Sequence, residues 1–242
     1  LIRRDGFLPI SQICRRLRVS EATARRDLTA VAAGGHITRT WGGALADYNA
    51  HIASIDERFQ RAQSAKGRIA AVAAAMVPVS GVVFLDAGTT IVAVARALAR
   101  RRGLLGLTVV TNSLPVASAL GGLDGVELHV LGGELLDRQA ALFGPRAIRS
   151  LREWRFDGAF FGGESADAAG ISNSHPDVVA FQRAVVQRSS NSYFCLDATK
   201  LGGAAPHCVA EWSDFSALIS DASPRRITDA GLGDQVEKLI TA

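Results

Sequence analysis

The sequence predicts an α/β chain in two parts, a winged helix-turn-helix over residues 1–46 and a Rossmann-like, mostly parallel α/β domain over residues 65–242, joined by a linker at 47–64. Three observations carry this. Two short stretches near the N-terminus space their apolar residues as helices do, with a break of about three residues between them. From Val82 onward, short apolar runs alternate with helical stretches, the pattern of a parallel sheet with crossover helices. Charge is also uneven: eight arginines against three acidic residues leave residues 1–46 at +5, whereas the 242-residue chain carries +4. A basic head on a near-neutral body points to a polyanionic partner.

In the head, Ile10, Ile13, Cys14 and Leu17 form one apolar helical face, and Ala24, Leu28 and Val31 form a second. Ser20 stands where an N-cap belongs, with Glu21 in the first turn, where a carboxylate suits the positive helix end. With Ala24, Leu28 and Val31 inward, Ala22, Thr23, Arg25 and Arg26 face outward near the start of the second helix. A recognition helix presents side chains to base edges from that position. Arginine can pair with guanine, threonine or alanine can touch a thymine methyl, and Ser20 with the free helix amides suits a phosphate. Gly34-Gly35 ends the helix. His36 to Thr40 and Trp41 to Ala44 then read as two short strands, or a strand and tight turn, forming a wing that carries Arg39 toward the DNA backbone or minor groove.

In the linker, Asp56 to Arg61 begins a helix and Lys66 to Val77 forms an Ala-rich one, read together as a plain connector packed on the second domain. In the body, strands are expected at Val82–Asp86, Leu107–Thr111, Val126–Leu131, Asp157–Phe161, Tyr193–Leu196 and Ala217–Ile219, with helices at Ile91–Arg102 and Leu114–Leu120. Ligands of such sheets sit at the C-terminal strand ends, and four polar turns fall there. Asp86-Ala87-Gly88-Thr89-Thr90 offers amides and hydroxyls at a helix start. Thr111-Asn112 follows the second strand. Gly132-Gly133-Glu134 follows the third, its glycines allowing close backbone approach. Asp197-Ala198-Thr199-Lys200 follows a fourth and contains one of only three lysines, Lys66, Lys200 and Lys238, in a chain with 24 arginines. So strong a preference for arginine makes a lysine a candidate for a compact ammonium with a task.

Composition excludes several classes. At 48% hydrophobic and 21% charged the chain is globular with a sizeable core. No apolar run approaches the ~18 residues of a membrane span. No apolar segment of a signal peptide follows the basic N-terminus. Cys14, Cys195 and Cys208 lack metal-type spacing and read as isolated thiols in a reducing cytoplasm. No metal, cofactor or membrane partner is expected.

The run Gly6-Phe7-Leu8-Pro9-Ile10, Val19-Ser20, Thr23, Arg25-Arg26-Asp27-Leu28, Gly35, Ile37, Arg39 and Gly42-Gly43-Ala44 resembles the head of the DeoR family. Its recognition helix carries Thr-apolar-Arg-Arg-Asp-Leu, and its wing ends in Arg-x-x-Gly-Gly-Ala. The body matches that family's C-terminal strings in order: Asp-x-Gly-Thr-Thr, Thr-Asn, Gly-Gly-Glu, Gly144, Asp157 and Asp-x-Thr-Lys-x-Gly. The resemblance implies a sensor similar to ribose-5-phosphate isomerase and CoA-transferase folds that binds a phosphorylated sugar or related metabolite. Asp86, Gly88, Thr89, Thr90, Thr111, Asn112, Gly132, Gly133 and Lys200 would line its pocket. It further implies a repressor of carbohydrate-metabolism genes, a homodimer or homotetramer on a double-stranded operator, released when the effector binds. There are three departures. Ala24 is smaller than the family's usual apolar residue. The family's first helix is longer ahead of the glycine, so N-terminal residues are expected to be missing. Relatives carry Glu and Lys four residues apart where this chain has Val178 and Gln182, so either the effector is less charged or Arg183 substitutes; Glu164 is a further candidate to face the pocket. The rival readings are a sugar-phosphate isomerase-like enzyme, with Asp86, Glu134, Glu164 or Asp197 as base, and a non-catalytic metabolite-binding protein. The DNA-reading head argues against both.

Overall fold

The computed structural model describes residues 2, 7–33, 37–40, 43–46, 55–203 and 205–242. They fall into two compact units, 1–53 and 54–242.

In the first unit a strand, β1 (Phe7–Pro9), leads into α1 (Ile10–Leu17), with Pro9 supplying the fixed φ of the helix entry. Arg18 ends α1 in the left-handed region at φ 54°, and α2 (Glu21–Ala33) follows after a two-residue step. The wing is an antiparallel pair, β2 (Ile37–Thr40) and β3 (Gly43–Ala46), and β1 adds to its free edge in the order β1-β3-β2. Leu8, Ile13, Ala24, Leu28, Ile37 and Ala44 form the buried centre, with Ile10, Cys14 and Ala32 at its rim. Two expected core positions are corrected: Leu17 is 54% exposed and Val31 is 44% exposed. The small core stops short of Leu17 at the end of α1, and on α2 it meets Ala32 in place of the expected Val31. The expected glycine stop at Gly34-Gly35, together with His36, Trp41 and Gly42, lies outside the described residues.

The second unit begins with α3 (Ile55–Gln60) and α4 (Gln63–Met76), so part of the stretch read as linker belongs to the sensor body. The physical reason is burial. Ile69, Ala70, Ala73 and Ala74 of α4 are closed from water, and Phe59 of α3 packs beside them with the Arg96 guanidinium 5.0 Å from its ring centre. Next come β4 (Gly81–Leu85), α5 (Thr89–Ala99), β5 (Leu107–Thr111), α6 (Leu114–Leu120) and β6 (Val126–Val130). A hairpin, β7 (Glu134–Leu136) and β8 (Ala141–Phe143), precedes α7 (Gly144–Ser150). Then follow β9 (Gly158–Phe161), β10 (Ser165–Asp167), β11 (Gly170–Asn173), α8 (Pro176–Val186), β12 (Ser192–Cys195), β13 (His207–Ala210), β14 (Ala217–Ser220), α9 (Pro224–Asp229) and β15 (Leu239–Thr241).

Seven strands form one parallel sheet in the order β15-β14-β12-β9-β4-β5-β6. From β4 the chain steps outward through β5 and β6. It then returns to β9 and steps the other way, so the winding reverses between β4 and β9. A crevice forms at the C-terminal ends of strands at such a reversal. One sheet face packs Phe84, Val110, Phe161 and Phe194 against Phe181 of α8, and the other packs Val83, Leu85, Val109 and Phe160 against α4 and α5. All six sequence-derived strands are present within a residue at their ends. The β7–β8 hairpin, β15 and a second small antiparallel sheet, β10-β11-β13, are additions. The helix expected at Ile91–Arg102 starts earlier, at Thr89, and stops at Ala99.

Candidate functional site

In the head, Ser20 accepts a hydrogen bond from the Thr23 amide at 3.2 Å and shares a second with the Thr23 hydroxyl at 2.8 Å. The N-cap thus fixes Thr23 at the start of α2. Arg25 Nε and Nη2 donate to Glu21 Oε1 at 2.9 and 2.6 Å, an i,i+4 pair that holds the guanidinium along the helix. Arg26 projects freely into solvent, 3.9 Å from Asp27 Oδ1 at its Nε. Ala22, Arg25 and Arg26 are exposed and Thr23 is half-buried, while Ala24 and Leu28 point into the core. The residues singled out on α2 therefore form one outward surface. Arg39 sits in β2 opposite Ala44 of β3; its side chain lies outside the described residues.

In the sensor, Asp86 leaves the end of β4 with its amide held by Phe160 O of β9. Its side chain is 2% exposed. Gln182 of α8 donates one Nε2 to Asp86 Oδ2 at 2.7 Å and to Gly162 O, at the end of β9, at 3.0 Å. The carboxamide therefore staples the two strands where the winding reverses. Burial pushes the Asp86 carboxyl up to about 7, against the opposing pull of Gln182 and the nearby Ala87 and Gly162 amides. Gly88 caps α5 at φ 108°, a conformation that favours glycine, and a Cβ there would meet nothing within 4 Å. Its service is conformational, turning the first amides of α5 toward the strand ends. Thr89 and Thr90 are buried at that start.

Lys200 lies in a short 3₁₀ turn after β12, where Asp197 caps the turn by accepting from Thr199. Its Nζ donates to Gly163 O at 2.6 Å. Burial lowers its pKa, Asp197 and Glu164 pull it back up, and Arg58 adds to the fall. Lys66, which was read as part of a plain connector, joins it. Lys66 is buried and its Nζ donates to Arg58 O and Arg61 O at 2.5 Å each, tying down the end of α3. Burial lowers its pKa first, the charges of Lys200, Arg58 and Arg61 lower it further, and Asp197 pulls it back up. Lys66 also lines a cleft of about 510 Å³ with Thr89, Gln63, Phe59 and Arg96. Two buried ammonium groups within one another's field, each hydrogen-bonded to carbonyls and both within the field of Asp197, form a positively charged edge. The scarcity of lysine marks Lys66 as it marks Lys200, although its Ala-rich helix carries no strand-end motif.

Other candidates serve the scaffold or stand apart. The Thr111 hydroxyl donates to Leu85 O at 2.6 Å and accepts from the Ser113 amide at 3.0 Å, so it clasps β5 to β4. Asn112 donates Nδ2 to Leu142 O at 3.1 Å and anchors the β7–β8 hairpin. Gly132 and Gly133 line a separate cleft of about 510 Å³ with Arg146, Arg149, Ser150 and Glu153. A Cβ on Gly133 would stand 2.5 Å from Phe143 O, so packing alone demands glycine there. Glu134 is exposed at the start of β7. Glu164 accepts from the Ser174 amide and hydroxyl at 2.8 and 2.7 Å, which turns it toward that loop. Arg183 does not substitute for the missing lysine: it is exposed, donates to Cys208 O, and lines a different cleft with Pro176, Val179 and His207. Val178 is core. Among the described residues there is no His/Cys/Asp/Glu cluster fit for a metal, and no helix long and apolar enough to cross a membrane.

A winged helix-turn-helix with an outward arginine face, followed in the chain by an α/β domain with two buried lysines at its strand ends, defines the class of DNA-binding regulators that carry a sensor domain. The DeoR-like helix-turn-helix domain matches residues 1–49 and the DeoR C terminal sensor domain matches residues 61–222, and the chain belongs to the DeoR family of transcriptional regulators. It is 31% identical over 226 residues to the HTH-type transcriptional repressor GlcR of Bacillus subtilis (strain 168), covering 93% of this chain and 86% of that protein. It is 28% identical to the glycerol-3-phosphate regulon repressor of Escherichia coli (strain K12), covering 93% and 88%. These relatives are repressors, not enzymes. Among solved structures, ribose 5-phosphate isomerase A of Methanocaldococcus jannaschii aligns at a TM-score of 0.44 and 17% identity, over 57% of this chain and 54% of that one.

Proposed function

We propose that the chain represses carbohydrate-metabolism genes in the cytoplasm and releases its operator when the sensor takes a phosphorylated sugar. The observation that carries this is the buried pair Lys200 and Lys66 at the strand ends where the winding reverses. The burial of the two ammonium groups and their mutual repulsion are offset only in part by Asp197 and Glu164, so a bound anion lowers the cost of both. The phosphate lies against Lys200, with the start of α5 at Thr89 and Thr90 contributing amides, and the sugar extends toward Asp86, Gly88 and Asn112. Gly132, Gly133 and Glu134 lie outside this arrangement.

At the other end, Arg25, Arg26, Thr23 and Ala22 read base edges, while Ser20 and the α2 amides hold a phosphate. Glu21 orients Arg25, and Arg39 reaches from the wing. Two copies in a homodimer or homotetramer place two heads on repeated half-sites, and effector binding lowers their joint affinity by linkage. The test begins by selecting bound fragments from a genomic DNA pool. Fluorescence anisotropy on the selected site then follows release by a panel of sugar phosphates. Release by at least one ester, and none by the matching free sugar, is expected. A selected site that no ester dislodges sinks the sensor half of the reading, and failure to select any site sinks the other half.

A further inference from the structure

The residues at the ligand edge divide by what they offer. Lys200 and Lys66 bring positive charge. Near them lie acceptors, since Gln182 donates to Gly162 O and Lys200 to the adjacent Gly163 O. Asp86 Oδ1, Asn112 Oδ1 and Gln182 Oε1 are buried with no hydrogen-bond partner among the described residues. Leu85 and Thr111 are register partners in neighbouring parallel strands, so Asp86 and Asn112 are the next residues of each and leave the sheet on the same face. Gln182 approaches Asp86 on that face from α8. Three unpartnered oxygens therefore share one neighbourhood, one of them on a carboxyl group. No charged side chain among the described residues sets the ionisation of Asp86, which is governed by burial, Gln182 and backbone amides. Gln182 occupies the two contacts, to Asp86 and to Gly162 O, that an ammonium could take, but it supplies no charge.

We propose that the effector is a phosphorylated sugar bearing a primary amine, its phosphate against Lys200 and its ammonium against the oxygens of Asp86, Asn112 and Gln182. This rests on reading the site as a sugar-phosphate sensor. A hydroxyl brings one donor and no charge, whereas an ammonium brings three donors and the cation that Asp86 lacks. All three acceptors are closed to solvent in this state, so admitting an amine displaces α8 or the hairpin that Asn112 anchors. That makes binding at this end a conformational event.

The test is titration calorimetry of the full chain with three matched pairs: glucosamine and glucose 6-phosphates, galactosamine and galactose 6-phosphates, mannosamine and mannose 6-phosphates. In each pair that binds, the amine form is expected to bind about tenfold or more tightly, as for a charge-assisted hydrogen bond. Gln182→Lys, which gives Asp86 an ammonium of its own, should bring the ratio of amine to parent affinity toward one. Asp86→Asn should do the same and serves if the first variant does not fold. Parent sugars binding as well as their amines, or a ratio unchanged in both variants, overturns this inference and leaves the sensor reading standing. Silence from all six compounds overturns both.

Discussion

The two units use their polar residues in opposite ways. In the head the residues assigned to DNA are on the outside: Ala22, Arg25 and Arg26 are exposed, over a core of six small and medium side chains. In the sensor Asp86, Thr89, Thr90, Asn112 and Gln182 are buried over a core rich in phenylalanine. A DNA-reading surface meets a large partner and needs only a stiff platform. A ligand site must exclude water and hold its groups by packing, so on the proposed reading function and stability share residues throughout the sensor site, whereas in the head they meet at the cap residue Ser20.

That contrast predicts how each unit breaks. Phe84 touches Phe156, Phe161 and Phe181 with ring centres 5.4 to 6.1 Å apart. Phe84→Ala should destabilise the sensor by ~3–5 kcal/mol, measured by urea unfolding followed by tryptophan fluorescence. A loss under about 1 kcal/mol, the worth of one deleted methylene, would mean that the face relaxes around the cavity. Lys200→Ala should weaken effector binding by ~1.5–3 kcal/mol and leave operator affinity unchanged; induction that persists at the same effector concentration removes Lys200 from the site. Arg25→Ala should cost ~1–3 kcal/mol of operator affinity and relax preference at one base pair. A uniform loss across sequences would reassign Arg25 to the phosphates. Ser20→Ala removes the N-cap of α2 and should cost ~1 kcal/mol of head stability, read by thermal melting.

A subtler effect concerns pH. Burial raises the Asp86 carboxyl from the ordinary 3.8 to about 7. The folded chain therefore holds a proton there that the unfolded chain releases, and the stability this group contributes is full below about pH 4 and lost as pH rises through 7. Gln182→Lys supplies a cation and should flatten that fall, measured as melting temperature across the same range. An identical slope in the variant would assign the dependence to other groups.

How much of this was legible in the sequence follows the same division. The helix-turn-helix showed in the spacing of Ile13, Ala24 and Leu28, because a helix writes its buried face at a fixed period. Leu17 and Val31 kept that period yet lie outside a core too small to use them. The central strands showed as apolar runs, since both faces of the sheet are covered. β10, β11 and β13 did not, because strands of three or four residues such as Ser165–Asp167 carry no alternation to read. In the site, Asp86, Thr89 and Lys200 stood out by position and residue type. Lys66 was hidden in an Ala-rich helix, and what Gln182 does depends on a partner that no local pattern names.

The bond between Gln182 and Asp86 joins residues 96 positions apart in the chain. During synthesis the N-terminal unit emerges first and can fold as its own unit. β4 must then wait for β9 and α8 before its Asp86 is matched, and Lys200 arrives later still. The candidate ligand site is thus among the last features this polypeptide completes, well after the DNA-binding unit has left the ribosome.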